Sequence, residues 1–380
     1  MTIGINGYEA VVPRFGFDKE TGLPIRVGSS EYVFQLLLNL NKIDKTNVYR
    51  IYIPPIDSSP EKLGLPKENK NWLYIKVSKK FGPWTLTDLS KKLSSDKKVL
   101  DVFFSPTHYL PLRVPMPCVI SILDVSYLYF PELFKKKDLY KLKLWGRYSI
   151  KRADKVLTIS KSSKNDIINE YKLKPEKVAV TYPGIREILK TSMKEDLVEK
   201  FGIKGDYILF VGTLQPRKNI KRLIEAFSRL KTDLELVIVG KKGWMYEEIL
   251  NAPKEYGISD KVRFLDSVTN EDLPSLYKNA LCFILPSLYE GFGLPILEAM
   301  QYGCPVITSS ISSLPEAAGE AALYVNPEDV DDIAQKLEKM INDSNLREDL
   351  IKKGYEQVKK FSWEKTAKET LNVLEEVAKK

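Results

Sequence analysis

Residues 284–309 read ILPSLYEGFGLPILEAMQYGCPVITS, and the punctuation of that stretch decides the fold. Ala280–Leu285 is a short apolar run, the pattern of a buried strand. Pro286–Gly293 is a loop in which two glycines flank Phe292. Leu294–Tyr302 has helical spacing and opens with Pro295, tolerated there because the first helical N–H groups have no intrahelical partner. Gly303 ends that helix, and Val306–Ser309 is the next strand. Strand, loop, helix, turn and strand in this order make one unit of a parallel α/β sheet. The N–H groups of Gly291, Phe292, Gly293 and Leu294, with the positive helix end, converge on a place suited to phosphate. Glu290 lies in the loop and Glu298 one turn inside the helix. Carboxylates there would repel a phosphate directly, so they suit sugar hydroxyls on either side of it.

The same alternation precedes this unit. Asp206–Val211 is a strand, followed by Gly212-Thr213-Leu214-Gln215-Pro216-Arg217-Lys218-Asn219 and a helix over Ile220–Leu230. Cations at a helix start oppose its dipole, so Arg217 and Lys218 point to an anion. Each charge-assisted bond to phosphate contributes roughly 1.5–3 kcal/mol. Leu234–Val239 and Lys261–Leu265 read as strands and Asn270–Asn279 as a helix. After the opening stretch come Gly319–Val325 and a helix over Pro327–Ile341. Asp329-Val330-Asp331 has the spacing of a metal-binding pair. Asn326 as N-cap with Pro327 in the first turn reads better as capping, so no metal site is expected. Ser362 caps a last helix, Trp363–Ala378.

Towards the N-terminus, Thr2–Asn6 is a strand and Gly7–Ser30 a long loop, long enough to be functional. Ser30 is placed to cap a helix over Glu31–Asn41. Val48–Pro54, Trp72–Val77, Val99–Phe104, Cys118–Leu123, Lys155–Ser160 and Lys177–Thr181 read as strands. Helical patterns such as Thr85–Leu93 and Lys161–Tyr171, the latter capped by Ser160, lie between them. Tyr182-Pro183-Gly184 breaks the pattern, which puts a domain boundary near Gly184.

A chain of 380 residues is long enough for two or three domains, and 43% apolar with 29% charged residues is ordinary for a globular protein. No apolar run approaches a membrane span, and charged, proline-containing sequence follows Met1–Gly7 where a signal peptide would be apolar. Three cysteines in or beside buried strands and a single histidine exclude a disulfide framework and a zinc site of ordinary composition. The expectation is a cytoplasmic protein with reduced core thiols.

The net charge of +9 is uneven: residues 1–185 hold 31 Lys and Arg against 18 Asp and Glu, and residues 186–380 hold 28 against 32. Much of the excess lies in Phe130–Ala153, where Lys135, Lys136, Lys137, Lys143, Arg147 and Lys151 are interleaved with Tyr140, Trp145 and Tyr148. Lys143, Arg147 and Lys151 share one ridge of a helix. Two readings stand: a solvated helix face, or peripheral contact with an anionic inner-membrane face or a lipid-phosphate acceptor. Nothing resembles a nucleic-acid module.

From Glu290 to Val306 the pattern E-G-F-G-L-P-x-L-E-A-M-x-x-G-x-P-V resembles the signature of glycosyltransferase family 4. The resemblance implies an α/β protein of GT-B fold: two Rossmann-like domains with parallel sheets facing across a cleft. Residues 1–184 would be the acceptor-side domain and 185–362 the nucleotide-sugar domain. The helix 363–380 would cross back to the first domain. The implied reaction is metal-independent, retaining transfer from a nucleotide diphosphate sugar, GDP-mannose or a UDP-sugar, to a hydroxyl of a glycan or lipid-linked acceptor. The nucleotide sugar is a co-substrate, and no cofactor is implied. Gly212, Thr213, Arg217, Lys218 and the amides from Gly291 to Leu294 would hold the donor diphosphate, Glu298 the ribose, and Glu290 the transferred sugar. The base would meet backbone around Phe264 and Leu265. Gly28, Ser29 and Ser30 stand where the family has a glycine-rich loop near the acceptor, though an N-cap after a loop explains them equally. Where the family has His-Asp, this chain has Leu123-Asp124: Asp124 is a catalytic candidate, and His108 either stands in for the missing histidine or is structural. Two other readings remain, a sugar-nucleotide-binding protein without transferase activity and a GT-B-fold sugar-nucleotide epimerase, the latter disfavoured by the two spaced carboxylates.

Overall fold

The computed structural model describes residues 1–12, 16–17, 22–26, 28–80, 82–186, 194–203, 205–266, 268–269 and 271–379. Parts of the expected Gly7–Ser30 loop, and Asn270 at the start of an expected helix, lie outside them. The chain divides into two compact units, Met1–Gly184 with Ser362–Lys380, and Ile185–Phe361.

The first unit carries β1 (Thr2–Asn6), β2 (Val48–Ile53), β3 (Trp72–Lys76), β4 (Val102–Ser105), β5 (Cys118–Ser121), β6 (Lys155–Thr158) and β7 (Val178–Val180). All pair in parallel in the order β3-β2-β1-β4-β5-β6-β7. Successive side chains point to opposite faces. Phe104 and Val119 thus join one cluster with Ile3, Ile5 and the helix Ser29–Ile43, while Phe103, Cys118 and Ile120 join another with Leu89, Leu93 and Ile150. Both faces are covered by helices, so the strands read as unbroken apolar runs rather than alternating ones. The last helix, Trp363–Ala378, adds Trp363, Ala367, Leu374 and Val377 to the first cluster, with Trp363 edge-on to Tyr32 at 6.0 Å. Burying side chains of that size contributes roughly 1.5–3 kcal/mol each.

The second unit carries β8 (Tyr207–Val211), β9 (Glu235–Val239), β10 (Val262–Leu265), β11 (Cys282–Leu285), β12 (Val306–Ser309) and β13 (Ala322–Val325). Its order is β10-β9-β8-β11-β12-β13, again all parallel. In this doubly wound order the chain reverses direction across the sheet between β8 and β11, the crevice where such sheets place ligands.

Several local expectations change. The first long helix begins at Ser29, with Gly28 (φ 55°) at its N-cap and Ser30 buried inside the first turn, so Ser30 does not cap it. The helix expected from Pro327 begins at Val330, and Asp329, not Asn326, caps it by accepting from the Asp331 and Asp332 N–H groups. Ser160 and Ser362 cap as expected, accepting from the N–H groups of Ser163 and Lys365. The helix over 136–152 is not uniform: Lys136–Lys141 and Arg147–Arg152 flank a π-turn at Leu142–Gly146, so its rows do not follow simple α spacing. Among the described residues no helix is long and apolar enough to cross a membrane. The cysteines are free and buried, and burial pushes Cys118 up to about 11 and Cys282 up to about 12.

Candidate active site

The site is assembled by two loops that leave neighbouring strands. From β8 the chain runs through Gly212 to the single 3-10 turn Pro216–Lys218, then to Asn219 and the helix Ile220–Ser228. From β11 it runs through Pro286 to Gly293 and into the helix Leu294–Gln301. Parallel strands side by side deliver both loops to the same edge, which is why residues more than seventy positions apart in sequence meet. Asn219, left-handed at φ 61°, straps the loops together: its amide donates to the Pro286 carbonyl at 3.0 Å and the Pro327 carbonyl at 2.6 Å. The Leu288 N–H donates to the Arg217 carbonyl at 2.9 Å.

The centre is Glu290, 7% exposed. One carboxylate oxygen accepts from Lys218 Nζ at 2.5 Å and from Ser287 Oγ at 2.7 Å; the other accepts from Arg217 Nη1 at 3.1 Å. Arg217 also donates to the Tyr289 carbonyl. Burial acts to raise the carboxyl, but the Lys218 and Arg217 charges outweigh it and hold Glu290 down at about 2. The backbone of Glu290 is held equally firmly. Its carbonyl accepts from Ser312 Oγ and Ser313 Oγ, each at 2.8 Å, and its N–H donates to Ser312 Oγ at 3.2 Å.

Behind the cations the β8 loop is fixed by its neighbour. Gly212 N–H bonds the Val239 carbonyl, Leu214 N–H the Lys241 carbonyl, and Gly243 N–H the Leu214 carbonyl. A Cβ at Gly240 would lie 1.9 Å from the Gly212 carbonyl oxygen, so only glycine lets the two loops approach. Gly293, at φ 105°, turns the other loop into the helix Leu294–Gln301 and, as its N-cap, brings no side chain to that end. That end presents backbone N–H groups and positive potential beside Arg217 and Lys218. Phe292 contributes backbone only: its ring is buried edge-on to Phe361 at 5.3 Å, so its side chain belongs to the core. Glu298, on the first turns of that helix, accepts from the Tyr277 hydroxyl at 3.0 Å. Tyr277 is fully enclosed, stacks on Tyr302 at 6.3 Å and meets Phe283 edge-on at 5.5 Å.

The remaining candidates stand elsewhere. Phe264 and Leu265 end the edge strand β10, where the Leu265 carbonyl accepts from the Gly240 N–H at 3.0 Å. Thr213 lies in the β8 loop. Gly28, Ser29, Ser30, His108 and Asp124 belong to the first unit. There His108 Nε2 sits 3.3 Å from the Asp124 carbonyl, and the Asp124 carboxylate accepts from the Ser126 N–H at 2.9 Å and hydroxyl at 2.7 Å, closing a turn after β5. Leu123 points into the core. Among the described residues no group of three or more His, Cys, Asp or Glu side chains is arranged to hold a metal.

Four residues of the second unit's site escaped the sequence reading. Ser287 carried a local signal, a hydroxyl three residues before a carboxylate. Ser312, Ser313 and Tyr277 carried none, because each reaches a partner on a different loop or helix about twenty residues away.

Two doubly wound sheets, one with a cation pair and a glycine-led helix start at its switch point, define an α/β protein of GT-B architecture. The model of the family "Glycosyl transferases group 1" matches residues 193–357. O-antigen chain mannosyltransferase B of Escherichia coli is 34% identical over 280 residues, covering 71% of this chain and 73% of its own length. O-antigen chain mannosyltransferase RfbU of Salmonella typhimurium is 32% identical over 258 residues, 68% of this chain and 65% of its own. Among solved structures, HepE of Anabaena in complex with UDP and glucose superposes with a TM-score of 0.73 at 17% identity, over 99% of this chain and 100% of that one. The chain belongs to the group 1 glycosyltransferases.

Proposed function

We propose that this glycosyltransferase moves a mannosyl group from GDP-mannose to a hydroxyl of a growing glycan or lipid-linked glycan, with retention and without a metal. The observation that carries the reading is the convergence of Arg217, Lys218 and the Leu294–Gln301 helix end around Glu290 at the β8/β11 switch point. The choice of mannose rests on the relatives named as mannosyltransferases. In this mechanism the bond from the anomeric carbon to the β-phosphate oxygen breaks and its electron pair goes to the diphosphate. Arg217, Lys218 and the helix N–H groups stabilise that growing charge, the kind of preorganised electrostatic contribution that dominates many enzymes. The acceptor oxygen bonds to the same face of the anomeric carbon, and its proton passes to the departing phosphate oxygen. Glu290, held ionised by its cations, is a poor base at neutral pH; its role is to orient the cations and then accept from hydroxyls of the transferred sugar. Glu298, positioned by Tyr277, takes the ribose hydroxyls. Gly212, Thr213 and the Gly291–Leu294 backbone approach the diphosphate, and Phe264 and Leu265 the base. Gly28, Ser29, Ser30, His108 and Asp124 are assigned to the acceptor side.

The test is product analysis with the purified chain, GDP-mannose or UDP-sugars, and mannose-terminated acceptors, with and without EDTA. The expected result is GDP release coupled to an α-linked product that EDTA does not suppress. Release only from UDP-sugars would overturn the donor, and inversion at the anomeric carbon the mechanism. Donor binding without product across a broad acceptor panel would overturn transfer.

A further inference from the structure

The helical run 136–152 shows on its outer side something a freely solvated surface rarely has. Tyr140 is 69% exposed, Leu144 72%, Tyr148 37% and Leu112 54%. The Tyr148 hydroxyl donates to the Leu112 carbonyl at 2.6 Å, so Leu112 extends the same patch. Single exposed apolar side chains are ordinary, but contiguous ones mark interaction surfaces. The π-turn at Leu142–Gly146 accounts for the alignment. In an α-helix residues four apart drift by about 40° around the axis. A π-turn, closing i→i+5 bonds, rotates less per residue and takes that drift back. Tyr140, Leu144 and Tyr148 therefore stay in line across the whole run.

Cations flank this ridge on both sides. Lys143, Arg147 and Lys151 form the next row and are exposed, while Lys137 and Lys141 lie on the other flank behind Lys135 and Lys136. Asp138 is the sole carboxylate between residues 135 and 152. The ridge is seated firmly: Trp145 meets Tyr109 edge-on at 6.4 Å, and Lys141 Nζ lies 5.2 Å from the same Tyr109 ring. Basic rows bracketing a Tyr/Leu ridge match a bilayer interface, where apolar tips enter among the acyl chains and ammonium and guanidinium groups stay at the phosphates. A protein groove would cover the ridge but would leave cations on both flanks without anions.

We propose that this face docks the chain on an anionic lipid bilayer, with Leu144, Tyr140, Tyr148 and Leu112 entering the interface and the flanking Lys and Arg residues engaging lipid phosphates. The inference does not depend on the donor or acceptor of the reaction. The full chain is floated with vesicles of phosphatidylethanolamine and phosphatidylglycerol, and with vesicles of phosphatidylcholine alone. Expected is binding to the anionic vesicles that weakens about tenfold or more on phosphatidylcholine and in high salt. Leu144→Glu and Lys143→Glu/Arg147→Glu should each weaken it about tenfold. Both alter exposed side chains, so melting temperature and turnover on a water-soluble acceptor should match wild type. A Tyr140→Trp variant should show a blue-shifted emission on the anionic vesicles only. Absence of flotation, equal binding to both vesicles, or wild-type flotation by Leu144→Glu would each overturn the proposal. So would light scattering in which Leu144→Glu turns a dimer into a monomer while flotation is unchanged, which would assign the face to a second copy. Binding to an oligonucleotide without flotation on the anionic vesicles, lost in Lys143→Glu/Arg147→Glu, would assign it to nucleic acid.

Discussion

Replacing Lys218 separates two things it does at once, holding Glu290 and, by our reading, holding the donor diphosphate. Breaking a buried ion pair by removing one member costs about 3–5 kcal/mol, because the other charge is left desolvated. Glu290 retains Arg217 at 3.1 Å and Ser287 at 2.7 Å, so Lys218→Met should cost less, about 2–3 kcal/mol. A carboxyl held at about 2 instead of its ordinary 4.5 is stabilised in its ionised form by on the order of 3 kcal/mol, shared among all its partners. Glu290→Gln, which leaves Lys218 without its carboxylate, should cost about as much. The double variant, in which Arg217 is the one charge left without the Glu290 carboxylate, should recover about 1–2 kcal/mol of that sum. Turnover should behave differently. Each single variant should lose roughly a hundred- to a thousandfold in kcat/KM, and the double should recover none of it. Urea unfolding at neutral pH and initial rates of nucleotide release read the two quantities. Activity returning along with stability in the double variant would make the pair scaffold only. A Lys218→Met enzyme within a few-fold of wild type would make the phosphate assignment wrong.

Tyr277→Phe removes the hydroxyl bonded to Glu298 and, with Glu298 in its proposed role at the ribose, should raise the donor KM several-fold with kcat nearly unchanged; a fall confined to kcat would contradict that role. Gly240→Ala drives a methyl group into the Gly212 carbonyl, so it should destabilise by about 1–3 kcal/mol or more and cost turnover even where folded, read by denaturation and kcat/KM on the same sample. Asp329→Ala should lose about 1 kcal/mol of cap stabilisation with unchanged kcat/KM, whether or not EDTA is present. Glu290 gives a signed pH dependence. Its folded value lies below its unfolded one, so its contribution is complete above about pH 4.5 and is lost as pH falls toward 2. Glu290→Gln should flatten the stability profile in that window; an unchanged profile would refute the assignment.

The fold was legible because both faces of each sheet are covered. Strands buried on two sides are apolar throughout, and runs such as CFIL at β11 and YILFV at β8 stand out from the helices between them. Ends were less legible. The Pro327–Ile341 expectation ran three residues early because Asn326 and Asp329 are both good caps, and only tertiary packing chooses between them. The π-turn at Leu142–Gly146 leaves no mark in composition, so the basic helix looked like a plain α ridge. Phe292 looked like part of a ligand loop because it stands between two glycines of the candidate phosphate turn; its ring's partner Phe361 lies 69 positions on, beyond any local pattern.

The parts of the candidate site stood out in the sequence, and their assembly did not. Arg217-Lys218 and Glu290 each stood out alone, one as cations against a helix dipole, the other as a carboxylate beside a phosphate-directed turn. Each is unfavourable by itself: two cations would be buried together, and a carboxylate would sit where phosphate is expected. The adjacency of β8 and β11 resolves both, since each charge becomes the other's partner. This also bears on mechanism. A pocket with Arg217 and Lys218 alone would have to assemble them against their own repulsion each time a donor arrived. With Glu290 between them, and with its backbone tied by Ser312 and Ser313, the cations are already in place. In the proposed mechanism they then share their hydrogen bonds with the incoming diphosphate, and the electrostatic work is done during folding rather than during turnover.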